Sequence, residues 1–480
     1  MILTLFTLQL TSVTTSQTDT LNLEAEQNWN TYGIGGTCTY NTQNLFVGDV
    51  DGDGVGEILT GGFSYYLENG TRISMEAPLK VWTWNGQNVT LKASTSWNGS
   101  IYCLFATDLN KNGNVEIICG GSFVNEKGNS QSTLRVLNLS SGELNLIAHY
   151  EGIAVNSLFV SDVDKDGVSD LLTVSRYSVN SSQQLSLWHI QGSDLTLVER
   201  FSLAEANVTS ANSIFAGDVD NDGDVEIIVA GYSDSLENSK GLISIWHLND
   251  QKLELKAMAT WQLAEGTAKT IAGGNQGNTA VNNVKAADLD GDGRKEIVTA
   301  GFAYDGAKVN GQIKVWHFLS GKLIEDSSQE WDSDYMTEAK SIALNDVNGD
   351  DKVEIVQSGI TAAKDSFNNP EGVHDRGQLR VWSYSPTGLG LLVSKDWTFD
   401  EGACAWNVGV GDVDNDGVVE IITVGCSALM GNCDPDMRIW SLPLETRAYP
   451  SYLQYAIALA VILVCAFSAF YLYFKRTKIP

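Results

Sequence analysis

The chain has 480 residues, with 59 acidic against 30 basic side chains and a formal net charge of −29. That balance excludes a phosphate-binding face for nucleic acid, which needs a cationic patch, and favours cations as partners. A single core stops growing at roughly 250 to 300 residues, so several domains or a repeat architecture must organise this length.

In chain order, residues 1–18 (MILTLFTLQLTSVTTSQT) are apolar enough to read as a secretory signal segment, complete or truncated, without a basic start or a clear cleavage site. LNLEAEQNW, from Leu21 to Trp29, follows with the alternation of a strand. A nine-residue pattern then recurs seven times: Asp or Asn at positions 1, 3 and 5, usually Gly at 6, an acid at 9. It begins at Asp49, Asp108, Asp162, Asp218, Asp288, Asp346 and Asp412, at intervals of about 54 to 70 residues. Such intervals exceed a WD40 blade of roughly 40 to 45 residues and accommodate four strands with their loops.

Around each loop the same four apolar runs are expected as strands. A first run such as LFVGDV precedes the loop, and a second such as EIIVAG follows it. The third (LKVW, LRVL, LSLW, ISIW, IKVW, LRVW, MRIW) sets Trp82, Leu137, Trp188, Trp246, Trp316, Trp382 and Trp440 in register. The fourth, such as VTLKASTSW, ends at Trp97, Tyr150, Phe201, Trp261, Trp331 or Trp397. After the seventh loop no fourth run follows, and LNLEAEQNW has the matching spacing, so the N-terminal strand is predicted to complete the last unit. The fold class expected is all-β: a seven-bladed β-propeller of four-stranded blades over 21–442, closed by the N-terminal strand, plus one C-terminal transmembrane helix. Closure removes exposed strand edges, and the repeated aromatics are expected to pack between blades.

Residues 443–454 read as a short juxtamembrane linker, and Tyr455 to Phe474 hold no charge over the length a helix needs to cross a bilayer. Lys475, Arg476 and Lys478 in the tail 475–480 place that end in the cytoplasm and the propeller outside. Six N-x-S/T sequons, at Asn69, Asn88, Asn98, Asn138, Asn180 and Asn207, agree with an extracellular glycoprotein. Six cysteines precede the span, in which Cys465 lies. Cys103 with Cys119, and Cys404 with Cys426, occupy matching offsets about their loops and are predicted as disulfides. Cys38 and Cys433 pair with each other, or Cys433 takes Cys426 instead.

The loops carry the chemistry. Asp49, Asp51 and Asp53 place carboxylates at alternate positions, Gly54 permits a sharp turn, Val55 offers its carbonyl and Glu57 returns a carboxylate. This density of hard oxygen donors suits Ca2+, which takes six to eight oxygens; the acid at position 9 rather than 12 marks a β-hairpin loop instead of an EF-hand. Equivalent sets are Asp162, Asp164, Asp166 and Asp170; Asp218, Asp220, Asp222 and Glu226; Asp288, Asp290, Asp292 and Glu296; and Asp412, Asp414, Asp416 and Glu420. Two weaker sites are expected. One is Asp108, Asn110, Asn112 and Glu116, which has fewer charges. The other is Asp346, Asn348, Asp350 and Glu354, where Asp351 stands in place of Gly. On these loops the sequence resembles the FG-GAP/VCBS repeat family, the propeller type of integrin α-chain headpieces and many prokaryotic surface proteins. The resemblance implies a bladed fold with calcium at the acidic positions. Here no Gly-Ala-Pro tripeptide is present and all seven blades keep a loop, so an integrin-like partner is not implied.

No G-x-S-x-G, H-E-x-x-H, P-loop or clustered Cys/His motif occurs, and no catalytic residue is assigned. His189, His247 and His317 follow the third-strand tryptophans of three successive blades, too far apart to share one ion, and read as structural repeats. The calcium face is expected to point toward the membrane. Insertions at Phe63 to Pro78, Leu263 to Asn283 and Thr361 to Gln378 then lie on the outward face. The function expected is non-enzymatic, calcium-stabilised recognition or adhesion, or scaffolding, toward an extracellular protein or glycan. Two other classes remain: a propeller-based carbohydrate-active lyase or hydrolase, with Asp365, His374, Asp375 and Arg376 as its nearest candidates, and a purely structural envelope component.

Overall fold

A computed structural model describes residues 21–29, 37–68, 71–125, 127, 129–175, 183–191, 194–233, 239–249, 251–264, 268–269, 275–276, 278–332, 336–362, 375–398, 402–427 and 434–442. The predicted signal segment, linker, membrane span and tail lie outside these residues, as do Asn69, Asn180 and Cys433. Among the described residues no helix is long and apolar enough to cross a membrane.

The described chain is built of strands in seven four-stranded antiparallel meanders, consistent with propeller blades. The first unit holds Thr37–Gly48, Glu57–Glu68, Thr71–Trp84 and the start of Val89–Thr107. The end of that long strand opens the second unit, with Glu116–Val124, Ser130–Ser140 and Glu143–Glu151. The third holds Ser157–Ser161, Asp170–Val174, Gln183–Gln191 and Asp194–Ser202. The fourth holds Val208–Gly217, Glu226–Ser233, Lys240–Asn249 and Lys252–Trp261. The fifth runs through Thr279–Ala287, Glu296–Tyr304, Val309–Leu319 and Lys322–Trp331. The sixth runs through Met336–Asn345, Glu354–Ala362, Arg376–Ser385 and Gly388–Trp397. The seventh takes Ala403–Gly411, Glu420–Ser427 and Asp434–Ser441 from the C-terminal end and Asn22–Asn28 from the other.

That last pairing, with Leu23 opposite Trp440, follows the spacing read from the sequence. Arg438 Nη2 bonds Glu26 Oε1 at 3.0 Å, and Ser441 Oγ bonds Glu24 Oε1 at 2.5 Å across the same seam. The first strands of successive units lie side by side, and Thr37–Gly48 also lies against Ala403–Gly411 of the seventh.

Third-strand tryptophans pack against the fourth-strand aromatic of the preceding unit, as expected. Ring centroids are 4.9 Å apart for Trp29 and Trp82, 4.9 Å for Tyr150 and Trp188, 5.2 Å for Trp261 and Trp316, and 5.1 Å for Trp397 and Trp440. The indole N–H of Trp82, Trp188, Trp316 and Trp440 donates to a buried second-strand Thr hydroxyl at 2.9–3.0 Å, so the ring is buried without an orphaned donor.

First strands carry a β-bulge six residues before the loop, at Gln43, Tyr102, Asn212, Asn282, Lys340 and Trp406. The bulge drives a carbonyl toward the second strand. A Cβ at Gly301 would lie 2.0 Å from the Ala280 oxygen, which is why EIVTAG ends in glycine. The same bulge overturns a predicted disulfide. Cys404 pairs directly with Cys426, but Cys103 lies beyond the bulge and faces Gly120, with Cys119 opposite Leu104; Cys103 and Cys119 are buried free thiols. Cys404 is also free, although its sulfur is 2.8 Å from that of Cys426. Cys426 is disulfide-bonded, and not to Cys404; the expected pairings of Cys38 and Cys433 involve side chains that are not described.

Of the three insertions, Phe63 to Pro78 extends the hairpin of Glu57–Glu68 and Thr71–Trp84. Leu263 to Asn283 contains a two-residue ladder of Ala268–Lys269 with Asn275–Gln276, and most of Thr361 to Gln378, with Asp365 and His374, lies outside the described residues.

Candidate metal centres

Every loop joins the first strand of its unit to the second, and all seven share one set of backbone bonds. The carboxylate of residue 1 accepts the N–H of residue 6 at 2.8–3.0 Å. Residue 5 accepts the N–H of residue 7 at 2.7–3.0 Å. Residue 9 accepts the N–H of residue 2 at 2.8–3.2 Å. Residues 4 and 6 are left-handed throughout, and Asp351 adopts φ 66° where the other loops use glycine. The sixth loop therefore keeps the common turn despite the substitution.

These bonds order residues 1, 5 and 9 about one turn, and in the first, second, fifth, sixth and seventh loops the other oxygen of residue 1 accepts a further backbone N–H. Ligand atoms of Asp49, Asp51 and Asp53 lie within 4.8 Å of one another, as do those of Asp162, Asp164 and Asp166; Asp218, Asp220 and Asp222; Asp288, Asp290 and Glu296; and Asp346, Asp350 and Glu354. Asp162 Oδ1, Asp218 Oδ1 and Asp220 Oδ1 are buried without a hydrogen-bond partner, an arrangement that a divalent cation would satisfy. The residues present thus fit Ca2+.

Position 9 separates the loops. Burial, reinforced by the adjacent aspartates, pushes Glu226, Glu296 and Glu420 up to about 7 and Glu354 up to about 8. In four loops, that of Glu354 among them, a second group reaches the other oxygen of residue 9. Asn110 Nδ2 donates to Glu116 at 2.8 Å, Asn348 Nδ2 to Glu354 at 3.0 Å, and His189 Nε2 lies 2.8 Å from Asp170. In the first loop Lys92, from the fourth strand of the unit, places its ammonium 2.7 Å from Glu57 and 3.6 Å from Asp53, and also pairs with Asp51. Sequence reading did not include Lys92.

The three histidines also differ from the expected structural repeats. Each turns to an acid of its own unit: His189 to Asp170, His247 to Asp224 at 3.8 Å and His317 to Asp326 at 2.7 Å. Only His189 bonds a loop carboxylate from the predicted ligand sets. Of the polar residues considered for an enzymatic mouth, Asp375 is buried and Arg376 exposed at the start of a third strand.

No curated protein matches this chain. Among solved structures, the crystal structure of the exotype rhamnogalacturonan lyase YesX is similar at 14% identity, over 90% of this chain and 77% of that one, with a TM-score of 0.45. Residues 137–229, which contain the third and fourth loops, match the family model described as an FG-GAP-like repeat, and the bonds that order those two loops recur in the other five.

Proposed function

We propose that this chain is a membrane-anchored, extracellular recognition protein whose seven units are the blades of one closed propeller stabilised by calcium. The observation that carries the reading is the sevenfold loop: the same backbone bonds order residues 1, 5 and 9 in every unit, and they gather ligand atoms of three acids to within 4.8 Å of one another in the first, third, fourth, fifth and sixth loops. In each loop residues 1, 3, 5 and 9 would hold the ion, with the carbonyl of residue 7, as at Val55, completing the set. Bound calcium supplies charge that cancels like-charge crowding and ties the first strand to the second. Closure is supported by a single cavity lined from all seven first strands.

Recognition is assigned to the connections on the face opposite the loops, which vary in length on a regular scaffold. The partner is a protein or glycan outside the cell, and no catalytic step is assigned.

The test is metal content and thermal melting of the full-length chain, in calcium and then in chelator. We expect several bound calcium ions and a loss on the order of 10 °C on chelation, since each site filled at 100 times its Kd contributes about 2.7 kcal/mol. An unchanged melt with no bound calcium overturns the calcium reading. Binding of the metallated chain to arrayed glycans and surface proteins, absent on chelation, tests the recognition reading; retained enzymatic turnover of a polysaccharide would replace it.

A further inference from the structure

The cavity at the meeting of the seven first strands differs in charge from the rest of the molecule. It has a volume of about 320 Å³, at the small end of ligand sites. Its described lining contains Lys285 and Lys340, together with asparagines, serines and apolar side chains, and no carboxylate. In a chain with 59 acids this is unusual. The groove between the third and fourth units carries Asp164, Asp166, Glu199 and Asp224, and the cavity beside the seventh loop carries Glu24, Asp414, Asp416 and Glu420.

The two lysines are not equivalent. Lys340 is satisfied: it pairs with Glu338 and stands 5.0 Å over the Trp406 ring. Lys285 makes no hydrogen bond or ion pair among the described residues, and burial alone pulls its pKa below the usual lysine range. Its register explains its setting. Three residues before the loop, four other first strands place Phe46, Phe105, Phe159 and Phe215, whose rings pack in sequence at 4.8–5.5 Å. The sixth and seventh strands have Ala343 and Gly409 there, and Val47 and Leu45 close over Gly409.

Lys285 is half-buried in the cavity wall, where no carboxylate in the described lining balances its charge, so an anion entering the cavity would supply that balance. The amides cannot do so: Asn156 and Asn212 each direct Nδ2 to backbone carbonyls of the next unit at 2.8–3.3 Å, holding the ring together. We propose that the central cavity is a binding site for a small oxyanion, a carboxylate or a tetrahedral dianion, with Lys285 as its charge partner. The site is independent of the calcium loops, so it stands or falls separately from the calcium reading.

The test is titration of the full-length chain with sulfate and, separately, with acetate at constant ionic strength, followed by calorimetry and thermal melting. One anion per chain and a rise in melting temperature are expected from at least one of them. Lys285→Met should lose both responses while melting no lower than wild type without anion, Lys285→Arg should retain them, and Lys340→Met should keep binding. Response to sulfate alone identifies a tetrahedral oxyanion and response to acetate alone a carboxylate. No saturable binding, or equal binding by wild type and Lys285→Met, overturns the proposal.

Discussion

The first and fifth loops share their backbone bonds and their triple aspartate, yet they balance charge differently. In the fifth, Glu296 is buried among aspartates and held near a pKa of about 7, so a metal-free loop relieves itself by taking up a proton. In the first, Lys92 bridges Asp51 and Glu57, and its own pKa is raised because those carboxylates outweigh the effect of its burial. One loop has a vacancy for positive charge and the other carries that charge on a side chain. Acidic spacing alone therefore does not equate one loop with another: the fourth strand decides how much cation a loop still needs.

Three substitutions or conditions separate the two cases. The largest effect is expected for Glu296→Gln, which should remove about 3 kcal/mol of calcium-dependent stability while leaving the chelated protein nearly unchanged, because a neutral amide resembles the protonated acid. Melting in calcium and in chelator reads this directly; equal loss in both would make Glu296 a packing residue. For Lys92→Met the pattern should reverse. A cost of about 2 kcal/mol appears in chelator, where three carboxylates lose their ammonium, and calcium recovers it with one additional ion bound per chain. If native mass spectrometry finds no extra ion, Lys92 does not compete with metal.

The smallest effect per group is that of pH. Glu226, Glu296 and Glu420 are raised from an ordinary 4.5 to about 7. A raised carboxyl adds stability that is full below its unfolded value and disappears as pH rises through 7. The chelated protein should therefore melt higher at pH 6 than at pH 8, by about 1 kcal/mol per glutamate. Calcium should reverse the slope, because it favours the ionised form. A flat or opposite slope in chelator would mean that these side chains reach solvent.

Much of this was legible in the sequence because repeats report their own register. Seven loops, seven third strands and one displaced fourth strand fixed the meander order, and LNLEAEQNW located its partner from spacing alone. What escaped was what a repeat hides. VTLKAS and LELKAM read alike, but Lys256 is taken by Glu254 two residues earlier, while Lys92 follows Thr90 and turns to its loop. At the same register other units place Ile147, Val198 and Leu392, so no pattern announces a cation there. The bulge was equally silent. It inserts one residue without any composition cue, and that is enough to put Cys103 out of line with Cys119.

The seam between Glu26 and Arg438 joins residues 412 positions apart. At translation rates of roughly 5 to 20 residues per second, the N-terminal strand emerges some tens of seconds before the strand it pairs with. During that interval Asn22–Asn28 lacks the strand it pairs with, and its only native neighbours among the described residues already made are those of the first unit, such as Trp82 and Trp84. Assembly of this molecule thus has a built-in waiting period. Its earliest-made strand is the last to be placed, and whatever shields that strand meanwhile governs how many chains complete the ring.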